Sequence, residues 1–111
     1  MSYSNIGEVS KVTKLSIDTL RYYEKEELID IERGTNKIRK YSNDDIESIK
    51  FIKCLKSMGM EIKEIKKYLE LEKKGDNTME ERIMILENLI KSINQRSNNL
   101  KKYIRTMKNC D

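Results

Sequence analysis

The sequence predicts an all-α fold with a small β wing, namely a winged helix-turn-helix domain followed by a long coiled-coil helix. Three observations predict it. The chain has no proline and four glycines, and its apolar residues recur every three or four positions, which is typical of amphipathic helices. One short β-favouring stretch around Gly34 and Asn36 interrupts that pattern and predicts a hairpin. A regular apolar stripe then runs through the last third of the chain.

Composition limits the class of protein. A length of 111 residues allows one domain, or one domain with an extension. The start is polar and no apolar run could span a membrane, so we expect a cytoplasmic protein. There is no histidine, no phosphate-cradling loop and no cluster of carboxylates, so we do not expect an enzyme. Cys54 and Cys110 are too few and too far apart for a disulfide scaffold or a Cys-only zinc site, and we expect neither cofactor nor metal.

Two short helices joined by a tight turn open the chain. Lys14 and Leu15 form the predicted turn. Ser16 is a suitable N-cap for the second helix, and Asp18 in its first turn faces the positive end of the helix dipole. The apolar positions predicted to point inward are Ile6, Val9, Val12, Ile17 and Leu20. Two helices in this arrangement form a helix-turn-helix.

The second helix has an unusual outer face for so small and polar a protein. On a helical wheel its outward residues are Asp18, Arg21, Tyr22 and Lys25. Tyr23 lies on the inner flank. An arginine beside two tyrosines suits a surface that binds a partner, and the alternative is that the tyrosines only pack the helix against the wing. The pattern favours contact for Arg21 and Tyr22, whereas packing explains Tyr23 at least as well.

The wing and a third helix follow. Residues Ile31–Tyr41 are predicted to form the hairpin, because β-favouring residues flank a turn. Ser42 with Asp45 is close to a capping box and opens a helix to about Met58, which Gly59 breaks.

A fourth helix is predicted from about Glu61 to Lys74, with Gly75 as its C-terminal stop. Its predicted inward positions are Ile62, Ile65 and Leu69. Thr78 with Glu81 is a predicted capping box that opens the last helix.

The last helix, residues 78–108, carries the seam of a coiled coil. Its apolar positions are Met79, Ile83, Leu86, Ile90, Ile93, Leu100, Ile104 and Met107. Their spacings alternate between three and four, and Ser97 fills the one gap in the register. Such a stripe needs a partner to leave water. We expect a homodimer, and the alternative is that the helix folds back onto its own domain.

A winged helix-turn-helix followed by a dimerising helix is an architecture that reads DNA. Arg21 and Lys25 are expected to face phosphates or base edges of double-stranded promoter DNA, and the tyrosine hydroxyls to bond phosphates. The wing residues expected to follow the flanking strand are Arg33, Lys37, Arg39 and Lys40. The net charge of +4 does not argue for this by itself, because much of the positive excess lies in residues 91–111, and basic runs are usually solvated faces.

The segments IGEVSKVTKLSIDTLRYYEKEELI and IRKYSNDDIESIKFIKCLKSMGMEIKEIKKYLEL resemble the DNA-binding region of the MerR family of bacterial transcription regulators. The resemblance covers about residues 3–74 and is carried by TLRYYE, a following R-x-Y and an F-I-x-x-L-x-x-x-G pattern. It implies a DNA-binding domain over residues 1–74 and an antiparallel dimerisation coil over residues 78–108. Members typically bind a pseudo-palindrome in an overlong promoter spacer and distort it so that RNA polymerase can engage both promoter elements. RNA polymerase is thus an indirect partner.

The resemblance also implies individual DNA contacts. They are Ser16, Thr19, Arg21, Tyr22 and Tyr23 on the recognition helix, with Arg39 and Tyr41 on the wing. The sequence departs from the family pattern at three positions. Lys14 and Lys37 replace usual glycines of the turn and the wing tip, and Glu61 replaces a usual Ser/Thr cap.

The sequence says less about the stimulus to which such a regulator would respond. Metal-sensing members carry cysteines at the start of the coil and beyond it, where this chain has Asp76-Asn77-Thr78 and only Cys110, so we expect no metal site. The segment around Cys54 resembles a branch that responds to electrophile or nitrosative stress through one cysteine. Lysines near a thiol favour the reactive thiolate, and the sequence places Lys50, Lys53 and Lys56 nearby. The alternative is that Cys54 is a small core hydrophobe.

Two other functions stay open at this point. One is an architectural or excisionase-like DNA-binding coiled-coil protein without signal input. The other is that the chain is the DNA-binding part of a longer effector-binding regulator.

Overall fold

The computed structural model describes residues 3–33 and 39–109. Its elements are α1 (Ile6–Thr13), α2 (Ile17–Lys25), β1 (Glu32–Arg33), β2 (Arg39–Lys40), α3 (Asn43–Ser57), α4 (Ile62–Lys74) and α5 (Met79–Lys108), with a 3-10 turn, Asp76–Thr78, before α5. The predicted fold class is confirmed. The chain forms two compact units, and the division falls inside α4, between Lys66 and Lys67.

Side-chain caps set the starts of α1 and α2. The Asn5 side chain accepts a hydrogen bond from the Glu8 amide at 2.9 Å, and the Glu8 carboxylate accepts one from the Asn5 amide at 3.1 Å. This reciprocal pair is a capping box that fixes the first turn. Ser16 caps α2 as predicted, because its hydroxyl accepts from the Thr19 amide at 3.1 Å. Between the helices Lys14 has a φ of 61°, the left-handed conformation.

The wing is a two-stranded antiparallel ribbon, as predicted. Its register pairs Glu32 with Lys40 and Arg33 with Arg39. The segment before α1 extends the ribbon, since the backbone groups of Ser4 and Tyr41 exchange hydrogen bonds of 2.8 and 2.9 Å. The predicted wing-tip residue Lys37 lies outside the described residues.

The core of the first unit gathers around α3. The buried residues of α3 are Ile46, Ile49, Ile52 and Leu55. Residues three apart differ by about 60° around the axis, so these four form a buried band that winds about half-way around the helix. From the other elements Val9, Leu20 and Tyr41 are fully buried. The small domain therefore has a continuous apolar interior that holds α1, α2 and the wing.

Two predicted core residues are on the surface. Val12 is 57% exposed and Ile17 is 37% exposed. In α1 the inward position belongs to the buried Thr13, because at 100° per residue Thr13 lies within about 20° of Ile6 around the helix axis, whereas Val12 lies about 120° away. Ile17 is the first residue of α2 and is only partly covered.

The inward positions of α4 also differ from those predicted. Ile65, Tyr68 and Leu71 are buried, while Ile62 and Leu69 are intermediate. The stop at Gly75 is confirmed, and its φ of 98° is one that glycine adopts without steric cost.

The predicted capping box at Thr78 is wrong. The Thr78 side chain makes no capping hydrogen bond, because the 3-10 turn runs directly into α5. Its buried hydroxyl instead donates toward the carbonyls of Leu71 at 2.7 Å and Gly75 at 2.8 Å, and accepts from Arg82 Nε at 3.1 Å. Thr78 thus ties the start of α5 to the last turn of α4.

Candidate nucleic-acid interface

The outer face of α2 is a polar surface held by an apolar inner face. Its exposed residues are Asp18, Arg21, Tyr22 and Lys25. On the opposite side Leu20 is fully buried and Tyr23 is 4% exposed. The helix is thus fixed from behind and leaves one arginine, one tyrosine and one lysine free to contact a partner.

The hydroxyl groups at the start of α2 are close together. Ser16 Oγ lies 2.9 Å from Thr19 Oγ1 and also accepts from the Thr19 amide. Ser16 is exposed and Thr19 is intermediate. Such a helix start, with backbone N–H groups pointing outward, favours a phosphate.

The two adjacent tyrosines have different environments. Their ring centroids are 6.4 Å apart with a tilt of 51°. Tyr22 is 45% exposed, whereas Tyr23 is buried, and burial raises the pKa of the Tyr23 phenol. The packing interpretation is therefore supported for Tyr23, whereas the ring of Tyr22 is accessible to a partner.

The residues predicted to contact DNA from the wing also differ in their exposure. The Lys40 side chain is exposed, and its ammonium lies 5.7 Å from the centre of the Tyr3 ring, within the range of a cation–π contact. Tyr41 is fully buried, so its ring belongs to the core rather than to the wing surface. Arg33 and Arg39 are partners in the backbone register of the two strands.

A hydrogen-bond network at the helix-turn-helix turn was not predicted. Lys53 Nζ, from α3, donates to the backbone carbonyl of Thr13 at 2.7 Å across 40 positions of sequence. The Asn5–Glu8 cap could have been predicted from its N-x-x-E spacing. The contact of Lys53 has no local sequence signal, because it depends on how α3 packs beside α1.

Cys54 is a free, exposed cysteine on α3. The alternative, in which Cys54 is a small core hydrophobe, is therefore wrong. Two of the three nearby lysines have other contacts, since the Lys50 ammonium lies 3.5 Å from the Glu47 carboxylate and that of Lys53 bonds Thr13. A reagent can therefore reach the thiol. The contacts of Lys50 and Lys53 do not support the prediction that their ammonium groups favour the thiolate of Cys54.

The predicted seam of α5 is largely uncovered in a single chain. Its residues with the largest exposure are Met79, Ile83, Ile90, Leu100, Ile104 and Met107, at 46–70%. Leu86 and Ile93 are intermediate. A helix of 30 residues with such a stripe has an apolar surface that water does not favour.

Within residues 3–33 and 39–109 no three His, Cys, Asp or Glu side chains group closely enough to hold a metal ion. Over the same residues, no helix combines the length and apolarity that crossing a bilayer requires.

Comparisons with known proteins agree with this geometry. Residues 4–72 match the family described as MerR HTH family regulatory protein, and residues 46–110 match the one described as MerR, DNA binding. An HTH-type transcriptional regulator of Haemophilus influenzae is 33% identical over 94% of this chain and 77% of its own length. The HTH-type transcriptional regulator AdhR of Bacillus subtilis is 42% identical over 74% of this chain and 59% of its own length.

Solved structures show the same fold. HiNmlR, a MerR family regulator lacking the sensor domain and bound to promoter DNA, superposes with a TM-score of 0.81 at 30% identity, covering 96% of this chain and 86% of that one. A MerR family regulator from Bacillus thuringiensis gives a TM-score of 0.81 at 27% identity, covering 96% and 95%.

The fold and the outer face of α2 define a helix-turn-helix, DNA-binding transcriptional regulator. The chain belongs to the MerR family, since both family matches span more than half of it.

Proposed function

We propose that the protein acts as a homodimer on a pseudo-palindromic promoter site and controls transcription by untwisting and bending the spacer. The exposed seam of α5, residues 79–107, is the observation that carries this proposal. A coiled coil formed by two copies removes that stripe from water and presents two α2 faces to one duplex. RNA polymerase responds indirectly, through the shape of the DNA.

Charge along α5 supports an antiparallel pairing. The first half, residues 79–93, has three acidic residues and two basic ones. The second half, residues 94–108, has five basic and no acidic residues. Antiparallel helices bring the basic half of each copy beside the acidic half of the other, whereas parallel helices align like charges.

The DNA-reading domain of this proposal is residues 1–74, and the dimerisation helix is residues 78–108. The proposed contacts are Ser16, Thr19, Arg21, Tyr22 and Lys25 on α2, with Arg33, Lys37, Arg39 and Lys40 on the wing. The buried rings of Tyr23 and Tyr41 leave these two residues a packing role. Arginine and lysine supply phosphate or base contacts, and the α2 hydroxyls supply register.

Bending can be measured by energy transfer between dyes at the ends of a duplex from the gene's own promoter region. We expect the protein to shorten the end-to-end distance of a duplex with the pseudo-palindrome and to leave a scrambled duplex unchanged. Equal bending of several unrelated duplexes would favour the architectural alternative. Binding without any change in distance would contradict control through DNA shape.

We also propose that Cys54 receives an electrophile or nitrosative signal. Its exposure on α3 supports this, because a reagent can reach the thiol. In a Cys110→Ser background only one thiol remains, so its alkylation rate against pH and the resulting transcription can be measured on the same sample. We expect modification to alter transcription from the bound promoter, and Cys54→Ser to abolish the response. A modified protein that transcribes as before contradicts the sensor role.

A further inference from the structure

The charged side chain of Lys53, on α3, forms a hydrogen bond with α1. Its ammonium donates to the Thr13 carbonyl at 2.7 Å, and the contact is partly buried. The neighbouring Lys50 forms only a local pair with Glu47, at 3.5 Å and in exposed surroundings. The two lysines therefore sit on the same helix with different roles.

The Thr13 carbonyl is an acceptor that the helix itself leaves open. Thr13 is the last residue of α1, and the left-handed Lys14 ends the helix there. The last carbonyls of a helix lack intrahelical donors and carry the negative end of its dipole. An ammonium at this point supplies both a donor and a favourable charge.

The same residue anchors the turn that leads into α2. The Thr13 hydroxyl donates to the Val9 carbonyl at 2.7 Å and accepts from the Leu15 amide at 3.3 Å. The Ser10 hydroxyl donates to the Leu15 carbonyl at 2.6 Å. Thr13 and Leu15 are therefore held from both sides immediately before the cap of α2.

We propose that Lys53 is a positioning residue for DNA binding: it clamps the end of α1 to α3 and so fixes the angle at which α2 is presented. This inference rests on the proposed function, in which α2 reads the promoter. Lys53 touches no DNA in this account and acts through Thr13. Ile49 and Ile52 of α3 are fully buried in the core. A shift of α3 would therefore move the turn as well, through the hydrogen bond between Lys53 and Thr13.

The test compares Lys53→Met, which keeps the aliphatic stem, with Lys53→Arg, which keeps a donor. Lys50→Met is the matched control, since it removes the same charge from the same helix. Each variant is titrated onto the bending duplex at several salt concentrations, and amide hydrogen exchange is measured on the free protein at Leu15 and at the core residue Ile49.

We expect Lys53→Met to bind up to about tenfold more weakly, the limit reached when the whole free energy of one hydrogen bond to a charged donor is needed to keep α2 at the binding-competent angle. The slope of affinity against salt should stay as in the wild type, because no phosphate contact is lost. Leu15 should exchange faster while Ile49 does not change, Lys53→Arg should restore most of the affinity, and Lys50→Met should resemble the wild type.

Several results would overturn the inference. Unchanged Leu15 exchange and affinity in Lys53→Met would remove Lys53 from any role. A salt slope smaller by about one would make it a direct phosphate contact instead. Equal acceleration at Leu15 and Ile49 would make its role one of global stability. Failure of the wild type to bind the duplex would instead refute the proposed function, on which the inference depends.

Discussion

At the scale of single residues, the turn between α1 and α2 holds backbone strain at one position. Lys14 has a φ of 61°, a region that costs a residue with a Cβ about 1–2 kcal/mol. Glu27, just after α2, has the same φ, and its carboxylate lies 3.3 Å from the Lys66 ammonium. Both positions end a helix where glycine is the usual solution.

Lys14→Gly should stabilise the protein. Relief of the left-handed strain exceeds the greater freedom of glycine in the unfolded chain, so we expect the free energy of unfolding to rise by about 0.5–1 kcal/mol. Denaturant unfolding measures it, with Lys11→Gly inside α1 as the control, which should lose about 1 kcal/mol. A Lys14→Gly protein less stable than the wild type would mean that the turn does not hold this conformation in solution.

Arg21→Ala should weaken binding to the promoter duplex by about 1–3 kcal/mol and leave the oligomeric state intact. The reason is that Arg21 is exposed on the outer face of α2 and makes no contribution to the core. Arg21→Lys keeps the charge but not the planar fork, so it should recover only part of the affinity. Fluorescence anisotropy at physiological salt measures both, and an unchanged affinity for Arg21→Ala would remove the residue from the interface.

The buried phenol of Tyr23 predicts a pH dependence of stability. Its pKa is raised above the ordinary value of 10.0 by burial, so the unfolded chain releases this proton at lower pH than the folded one. Its contribution to stability is therefore present below pH 10 and is lost as pH rises through the raised pKa. Between about pH 9 and 11 the free energy of unfolding of the wild type should fall relative to that of Tyr23→Phe. Parallel curves for the two proteins would contradict the burial of Tyr23.

At the scale of elements, the junction of α4 and α5 depends on a hydroxyl that donates. Thr78 is 4% exposed, and its hydroxyl bonds carbonyls of the preceding turn. A capping residue would only accept. The two interpretations therefore differ in the direction of one hydrogen bond.

Thr78→Asp separates them. Aspartate is a good N-cap but cannot donate when ionised, so it should destabilise the protein by about 1–3 kcal/mol by facing the carbonyls with a negative charge. Thr78→Ser keeps the donor and should cost less than half as much. Thermal unfolding distinguishes the two, and an aspartate variant as stable as the wild type would restore the capping box.

Features set by residues close together in the sequence were predictable, and features that depend on contacts between distant residues were not. Ser16 and Ser42 cap their helices as predicted, since a cap needs only three neighbouring residues. Thr78 failed because a 3-10 turn precedes α5. Thr13 is buried where Val12 was predicted to be, and its hydroxyl is paired because it donates to the Val9 carbonyl of the same helix. The Lys53 contact crosses 40 positions, which no local pattern encodes.

At the scale of the whole molecule, two compact units divide the work of the proposed mechanism. The first carries the outer face of α2 and the wing, and the second carries the apolar seam of α5. A monomer leaves that seam in water and offers one α2 face to a duplex. A dimer covers the seam and offers two, which is what a pseudo-palindrome requires.

The proposed mechanism depends on a dimer, and sedimentation equilibrium at micromolar concentration, with and without the promoter duplex, measures the oligomeric state. We predict a protein of twice the 13.2 kDa of one chain and two chains on each duplex. Ile90→Lys within the seam should give monomers that bind the duplex far more weakly, whereas Asn88→Lys on the face of α5 opposite the seam should stay dimeric. A wild-type protein of 13.2 kDa that binds the duplex as one chain would rule out a dimer that reads two half-sites.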